Sequence, residues 1–202
     1  MRAVALLLTV LTAGCTREHA VAFMGPKLTA LHVTKAPTVD GEADEDAWVK
    51  TASTGAFGSV LDSGLLSPHT ELRALWNDDA LFLGVYCADQ DLRSADAIHL
   101  TLRTPIELVM TVSPSGKLTG APEGVRAAVD LDGTLDADDG EDDEEWVVEL
   151  EIPWKAAGLK QPPAAVEVLA WREDTPRGAS PRTVSWSRAG RVPAPGLIEL
   201  AR

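Results

Sequence analysis

The chain has 202 residues, of which 24% are charged, and a formal net charge of −13 at pH 7. A chain of this length suits one domain with short additions. So acidic a chain argues against nucleic acid as a partner, because phosphate binding needs clustered Lys and Arg side chains.

The first fifteen residues have the pattern of a secretory signal. Met1 and Arg2 form a positive start, Ala3 to Leu11 form an apolar core, and the small residues before Cys15 form a cleavage site. A membrane-spanning helix needs about 20 apolar residues, so this shorter run is interpreted as a processed signal.

The cysteine that ends this signal resembles the lipobox of bacterial lipoproteins. The resemblance implies a signal peptide over residues 1–14 and acylation of Cys15. The following residues up to Lys27 show no clear period and contain a Gly-Pro break, so residues 15–27 are interpreted as a lipid-attached linker before a domain over residues 28–202. Several acyl chains on one residue hold a protein stably on a membrane. Thr16, and not an Asp, follows the cysteine. In Gram-negative lipoproteins this resembles the signal for passage to the outer membrane. A plain signal peptide with a chance cysteine remains the alternative.

The rest of the chain alternates apolar and polar residues with a period of two, which is typical of half-buried strands. The predicted strands are Leu28 to Val33, Glu71 to Trp76, Leu81 to Cys87, Ile98 to Leu102, Glu107 to Val112, Val125 to Val129, Trp146 to Ile152, Val166 to Trp171, Thr183 to Trp186 and Leu197 to Leu200. Short helices are expected at Ala43 to Lys50 and at Lys155 to Ala157. The side chain of Asn77 is expected to close the central hairpin through an Asx turn. This pattern predicts an all-β fold, an antiparallel two-sheet β-sandwich of jelly-roll or immunoglobulin-like type with short helical pieces.

Cys87 lies on the apolar face of a predicted strand, together with Leu81, Leu83 and Val85. A buried and inert thiol is therefore expected rather than a nucleophile. If Cys15 is acylated, no intramolecular disulfide can form.

The most acidic stretch of the chain runs from Asp136 to Glu145. Blocks of like charge repel one another, so a solvated loop is the first interpretation. A cation site is the second, because calcium binds six to eight oxygen ligands. The run does not fit the EF-hand spacing, because Gly140 at the invariant position would make Leu135 the first ligand. No cofactor is identified with certainty, and calcium stays an open alternative.

Four motifs in a fixed order carry a resemblance to a known family. They are Pro37 to Trp48, Thr70 to Asp91, Trp146 to Trp154, and Ser185 to Leu200. Together they resemble family 9 carbohydrate-binding modules, with an Asp-Gly turn that leads to a buried Trp and a late strand that ends in Ile-Pro-Trp. The resemblance spans about residues 28 to 202, implies a sandwich that binds a saccharide, and adds weight to a structural calcium ion.

The sugar clamp of that family is changed in this chain. The resemblance places one sandwiching Trp just before Asp96 and a second Trp after the Ser-Trp-Ser strand, and neither place holds an aromatic residue here. Asp96 matches a polar position of the family, and the family's Glu aligns with His99. We expect a modified site where charged and polar side chains approach each other, suited to the hydroxyl or carboxylate groups of a neutral or acidic glycan. Its predicted ligand-binding residues are Arg93, Asp96, His99, Arg188 and Arg191. Scattered surface charges are the alternative interpretation.

Six Trp residues could supply a stacking surface, since sugar rings stack on aromatic faces. Packing in the core is expected for four of them, Trp48, Trp76, Trp146 and Trp154. Three further aromatic residues are left undecided between core and groove, namely Tyr86, Phe57 and Trp171.

Enzymatic motifs are absent from the sequence. The four His residues show no zinc-ligand spacing, and no G-x-S-x-G, P-loop or G-x-G-x-x-G motif is present. We therefore expect a non-catalytic, lipid-anchored carbohydrate-binding protein of the cell envelope, accessory to polysaccharide breakdown, in the outer membrane if the cell is Gram-negative. The first alternative is a sandwich that has lost sugar binding and serves as an interaction or structural module. A weaker one is a glycosidase.

Overall fold

The structure is a computed structural model that describes residues 23–60, 69–138, 143–189 and 191–202. Within these ranges the chain is almost entirely β, with one short helix, α1 (Asp46–Lys50). The strands are β1 (Lys27–His32), β2 (Gly58–Ser59), β3 (Thr70–Trp76), β4 (Ala80–Ala88), β5 (Ala97–Arg103), β6 (Leu108–Val112), β7 (Leu118–Thr119), β8 (Arg126–Asp132), β9 (Glu145–Pro153), β10 (Ala165–Asp174), β11 (Arg182–Ser185), β12 (Arg188–Ala189), β13 (Val192–Pro193) and β14 (Gly196–Leu200).

Each of the ten strands predicted from the alternating pattern is present, with ends shifted by a few residues. The clearest case is β10, in which every second side chain is buried from Val166 to Asp174. Period two places successive side chains on opposite faces of a sheet, so one face of each strand can pack while the other meets solvent. The prediction of an all-β fold is confirmed.

The sheet topology is not two separate antiparallel layers. Ten strands follow one hydrogen-bonded path in the order β7-β6-β5-β10-β14-β1-β3-β4-β9-β8, with β11 and β2 branching from β10. β1 connects the two halves of this path, because its first residues pair with β14 and Leu31 and His32 pair with β3. Both pairings are parallel, whereas β3, β4, β9 and β8 pair antiparallel to one another. The finer prediction of an antiparallel two-sheet sandwich therefore misses the strand that joins the halves.

One core lies between the two halves of the sheet. Its buried side chains come from β3, β4 and β9 on one side and from β5, β6, β10 and β14 on the other. Trp76, Trp146 and Trp154 are buried in this core, as predicted. Cys87 is buried there too, and burial raises the pKa of its thiol to about 12, which confirms the prediction of an inert cysteine.

The hairpin between β3 and β4 closes as the sequence indicates. The Oδ1 atom of Asn77 accepts hydrogen bonds from the backbone N–H groups of Asp79 and Ala80, both at 2.9 Å. This side chain replaces a backbone partner within the turn, which is the physical basis of an Asx turn.

The two predicted helices need correction. α1 begins at Asp46 instead of Ala43, because Ala43 has a φ of 49° and Glu45 is extended. The segment Lys155 to Ala157 forms a hydrogen-bonded turn, in which Ala156 and Ala157 donate to the carbonyl of Pro153, rather than a helix. Three residues are too few to propagate a helix beyond its first turn.

The opening turn of the domain is held by a buried carboxylate. One Glu149 oxygen accepts from the backbone N–H groups of Asp40 and Gly41 at 3.1 and 2.8 Å, and the other accepts from Trp48 Nε1 at 2.8 Å. Trp48 then packs with Leu75, Ala80 and Phe82 on the outer face of β3 and β4, in a second and smaller apolar cluster. The predicted packing role of Trp48 is confirmed.

The predicted signal peptide, Cys15 and most of the predicted linker lie outside the described residues. The end of the linker touches the domain, because Leu197 donates a backbone hydrogen bond to the carbonyl of Pro26 at 2.9 Å. Among the described residues, no helix has both the length and the apolar character needed to cross a membrane.

Candidate functional site

A row of side chains crosses the outer face of the β10–β5–β6 part of the sheet. Trp171 in β10 lies opposite His99 in β5, and His99 lies opposite Thr111 in β6. Their neighbours along each strand, such as Ala170 and Ile98, face the core. Because side chains alternate between faces, the row formed by Trp171, His99 and Thr111 faces away from the core, and we call it the Trp171 row.

The two rings of the row are stacked. The ring centroids of His99 and Trp171 are 3.7 Å apart and their planes differ by 6°. His99 Nδ1 lies 3.2 Å from the hydroxyl of Thr111, and its Nε2 lies 3.7 Å from a carboxylate oxygen of Glu173. Burial lowers the pKa of His99 from its ordinary value, although the Glu173 carboxylate opposes the shift. Because the two rings stack face to face, each covers one face of the other.

A cavity of about 230 Å³ lies next to Trp171, on the side of this residue that faces away from β5 and His99. It is lined by Val60, Trp171, Thr183, Arg191 and Pro193. Arg191 precedes β13 and Pro193 lies within it, so the short β12–β13 hairpin forms one wall. A half-buried indole, an exposed guanidinium and a threonine hydroxyl therefore surround one small depression.

The structure brings together two of the five predicted ligand-binding residues. His99 stacks on Trp171, and Arg191 lines the cavity beside the same indole. Arg188 donates from Nη1 to the carbonyl of Ser59 at 2.6 Å, across the gap between the hairpin and β2. The ligand-binding role of His99 and Arg191 stays a prediction, now with a shared location.

Asp96 and Arg93 have structural surroundings instead. Asp96 is buried, and its Oδ1 accepts from both the backbone N–H and the hydroxyl of Thr175, at 2.7 and 2.6 Å. Arg93 lies 3.5 Å from Asp91 and 3.7 Å from Asp136, so its guanidinium ties two loops together. These contacts turn both side chains toward the protein rather than toward the cavity.

The sequence left open whether Trp171 lies in the core or in a groove. The alternating pattern of its strand nevertheless indicates the face on which the side chain lies. In β10 the apolar residues Val166, Val168 and Ala170 occupy alternate positions, which places Trp171 on the opposite face. A Trp on the solvent side of an alternating strand is a candidate contact residue, since packing does not require it there. Phe57 is buried in the core, whereas Tyr86 lies on the outer face of the other half of the sheet.

A buried ionic cluster lies beneath the end of β10. Ligand oxygens of Asp89, Asp96 and Asp174 lie within 4.8 Å of one another, and all three residues are buried. Arg172 is fully buried between two of them, with Nη2 at 2.6 Å from Asp89 and 3.0 Å from Asp174. Burial raises the pKa of Asp89 to about 7, while the charge of Arg172 acts in the opposite direction.

This cluster does not fit a calcium ion. Asp89 and Asp174 are paired with the Arg172 guanidinium, and the second oxygen of Asp174 is paired with Arg182 at 2.5 Å. Asp96 accepts from backbone and hydroxyl donors of the protein. A cation at the centre would meet the positive charge of Arg172, which is already paired with two of the three carboxylates.

The described ends of the acidic run make specific bonds. Asp143 accepts from the backbone N–H groups of Leu92 and Thr134, each at 2.7 Å. Asp136 accepts from the N–H of Ser94 at 3.1 Å, and Arg177 pairs with Asp138. The part of the run at residues 139–142 lies outside the described residues. Asp136 and Asp143 thus hold the described ends of the run against the Leu92–Ser94 segment, whereas Asp138 is paired with Arg177.

Comparisons with known proteins give matches of structure alone. No protein-family model and no curated protein sequence matches the chain. A family 9 carbohydrate-binding module from Caldicellulosiruptor kristjanssonii in complex with cellotriose superposes with a TM-score of 0.60 at 15% identity, covering 87% of this chain and 95% of that one. The same kind of module from this organism in complex with glucose gives 0.59 at 15% identity, covering 87% and 97%.

A third solved structure comes from Bacteroides uniformis ATCC 8492 and is described as a carbohydrate-binding protein on a provisional basis. It superposes with a TM-score of 0.60 at 14% identity, covering 88% of this chain and all of that one. Identities this low establish the shared architecture and leave the ligand open. The described domain therefore has the fold of the family 9 carbohydrate-binding modules, as the four sequence motifs indicated.

Proposed function

We propose that this protein is a non-catalytic carbohydrate-binding module whose contact surface is the Trp171 row and the cavity beside it. The observation that carries the proposal is the parallel stack of Trp171 and His99 on a fold shared with modules that bind cellotriose and glucose. The apolar face of a sugar ring stacks on an aromatic ring such as that of Trp171, which lines the cavity on its side away from His99, while nearby polar groups bond the sugar hydroxyls.

The polar groups around the stack suit a neutral or acidic sugar. Thr183 supplies a hydroxyl and Arg191 supplies a guanidinium at the cavity wall. A guanidinium forms two parallel bonds with a carboxylate, so a uronic acid unit gains more from Arg191 than glucose does. Glu173, two residues after Trp171 in β10 and 3.7 Å from His99 Nε2, would accept hydrogen bonds from sugar hydroxyls at this surface.

Titration calorimetry with glucose, cellotriose and glucuronate on the detergent-solubilised full chain tests this function. We expect Trp171→Ala to weaken binding of every ligand at least tenfold, which corresponds to about 1.4 kcal/mol. We expect Arg191→Gln to weaken glucuronate binding and to leave glucose binding almost unchanged. The control is Glu151→Gln, because Glu151 in β9 lies in the other half of the sheet and pairs with Arg126.

Flat titrations across neutral and acidic sugars would contradict the proposal. They would support the alternative that the fold serves as an interaction module of the envelope. This alternative is consistent with the β12–β13 hairpin, whose sequence has no aromatic residue to form a second ring opposite Trp171.

We also propose that the module is attached to a membrane through an acylated Cys15, as the signal pattern of the first fifteen residues indicates. A Cys15→Ser variant expressed in a bacterial host is expected to move from the detergent phase to the aqueous phase. Equal partitioning of both forms would contradict the anchor.

A further inference from the structure

A second cleft lies on the outer face of the opposite half of the sheet. It has a volume of about 320 Å³ and opens beside α1, over β3, β4 and β9. The core separates this half from the half that carries the Trp171 row. Pockets for small ligands begin at about 300 Å³, so the cleft is large enough for a ligand of one ring.

The cleft has an apolar floor with an aromatic wall. Tyr86 in β4 lies directly opposite Val147 in β9, and both side chains line it. Gly84, two residues before Tyr86, also lines it, and a Cβ at this glycine would meet the Trp48 ring at 3.2 Å. The missing side chain thus permits the indole to pack close to the sheet. We call the space bounded by these residues the Tyr86 cleft.

The polar lining of the Tyr86 cleft is acidic. Three carboxylates line it, those of Glu42, Glu71 and Glu145, against one guanidinium, that of Arg73. Arg73 already donates to Glu71 at 2.8 Å and to the carbonyls of Trp48 and Thr51, both at 3.1 Å. Its positive charge is therefore engaged by the protein, and the cleft presents excess negative charge to a ligand.

The carboxylates at the rim differ in how freely they can bind. Glu71 is occupied by Arg73 and by the hydroxyl of Ser53. Glu42 is exposed. Glu145 interacts with the hydroxyl of Tyr86, and this contact raises the pKa of the tyrosine to about 12. The ring of Tyr86 thus lies next to the Glu145 carboxylate in the wall of the cleft.

We propose that the Tyr86 cleft is a second ligand site, which binds the ammonium group of an unacetylated amino sugar. An aromatic face flanked by carboxylates attracts a cation through both the ring quadrupole and the charges. The sugar ring fits the volume and packs on Val147, while its hydroxyls reach Glu42. Anionic ligands are repelled by the same carboxylates, so this site and the Arg191 cavity select ligands of opposite charge.

The test uses the β-1,4-linked disaccharide of glucosamine and its N,N′-diacetylated form, titrated separately into the detergent-solubilised full chain. The two sugars differ in the two ammonium groups, which acetylation converts to neutral amides. We expect the glucosamine disaccharide to bind at least tenfold more tightly. Binding is expected to weaken at least fivefold in Glu42→Gln and in Glu145→Gln, and to weaken as salt rises, because exposed charges are screened.

Control variants separate the cleft from general effects. Glu42 is exposed, so its substitution does not threaten the fold. Glu151→Gln removes a carboxylate from the same strand and half of the sheet as Glu145, outside the cleft, and is expected to bind normally.

Three outcomes would overturn the proposal. The first is equal affinity for the acetylated and unacetylated disaccharides. The second is loss of glucosamine binding in Trp171→Ala, which would assign the sugar to the Trp171 row. The third is equal binding of Nα-acetyl-lysine amide, which would make the cleft a general ammonium site with no role for the sugar ring.

Discussion

Arg172 carries a positive charge within the core. Its side chain is fully buried and pairs with Asp89 and Asp174, so a positive charge and several negative charges share a dry interior. Its Nη1 also donates to the carbonyl of Ala88 at 2.8 Å, which joins β10 to the end of β4. A buried ion pair adds little stability over an apolar replacement of the whole group, but loss of one partner leaves an uncompensated charge.

We predict that Arg172→Leu lowers the free energy of unfolding by about 3–5 kcal/mol, because Asp89 and Asp174 lose a buried counter-charge. Urea denaturation followed by tryptophan fluorescence measures the loss. Arg126→Leu is the control, since Arg126 is exposed and its pair with Glu151 lies at the surface, where ion pairs contribute little. A loss for Arg172→Leu no larger than that of the control would contradict this account of the cluster.

Single residues also show where sequence patterns were sufficient. Cys87 and Trp146 lie on one face of their alternating strands, and both are buried as predicted. Asp96 shows the opposite case. Its polarity and position were compatible with ligand binding, whereas its carboxylate accepts bonds from Thr175, a residue 79 positions away. A partner so distant in sequence leaves no local signal.

At the scale of elements, the opening turn and α1 depend on a strand more than a hundred residues away. Glu149 in β9 accepts three N–H groups from this region, two of them at the turn and one from the Trp48 indole. Gly41 has a φ of 100°, and a Cβ there would lie 2.5 Å from the backbone nitrogen of Asp130. The turn thus lies directly on β8, which explains why the motif contains glycine.

We predict that Glu149→Gln lowers the free energy of unfolding by about 1–3 kcal/mol, because an amide N–H₂ group would face donors that now meet a carboxylate. Hydrogen exchange at the amides of Asp40 and Gly41 is expected to accelerate. Glu151→Gln is the matched control, two residues along the same strand. Unchanged exchange at both amides would show that Glu149 does not hold the turn.

The β12–β13 hairpin is the element that sequence reasoning missed and that matters most for the site. Each strand has two residues, so no alternation can be recognised in it. Its position beside Trp171 depends on the chain folding back over β10 and β11. Nothing in the local sequence indicates this return, and the ligand-binding role of Arg191, which the hairpin brings beside Trp171, stays a prediction.

At the scale of the whole molecule, β1 joins the two halves of the sheet by pairing with a strand of each. It pairs in parallel with β14 through residues 27–30 and with β3 through Leu31 and His32. Leu28 in this strand is buried in the shared core, whereas Leu31 is 38% exposed. Because one core spans both halves, they are expected to unfold together.

We predict that Leu28→Ala lowers the free energy of unfolding by about 2–5 kcal/mol, owing to lost apolar burial and a residual cavity. A single transition, coincident by fluorescence and far-ultraviolet circular dichroism, is expected to remain. Leu31→Ala in the same strand is expected to cost much less. Two separated transitions in Leu28→Ala would show that the halves fold independently.

The sequence by itself determined the ten longer strands, the packing of four of the Trp residues and the likeness to a known fold. Each depends on local alternation or on short motifs. These can be recognised in a single sequence because one face of a strand must be apolar to pack. Only the tertiary structure decided which outward side chains meet. Trp171 and His99 are 72 positions apart and stack because β10 and β5 pair in one register. The same holds for Arg172 among its carboxylates, since burial and charge balance arise only when distant strands close around a common core.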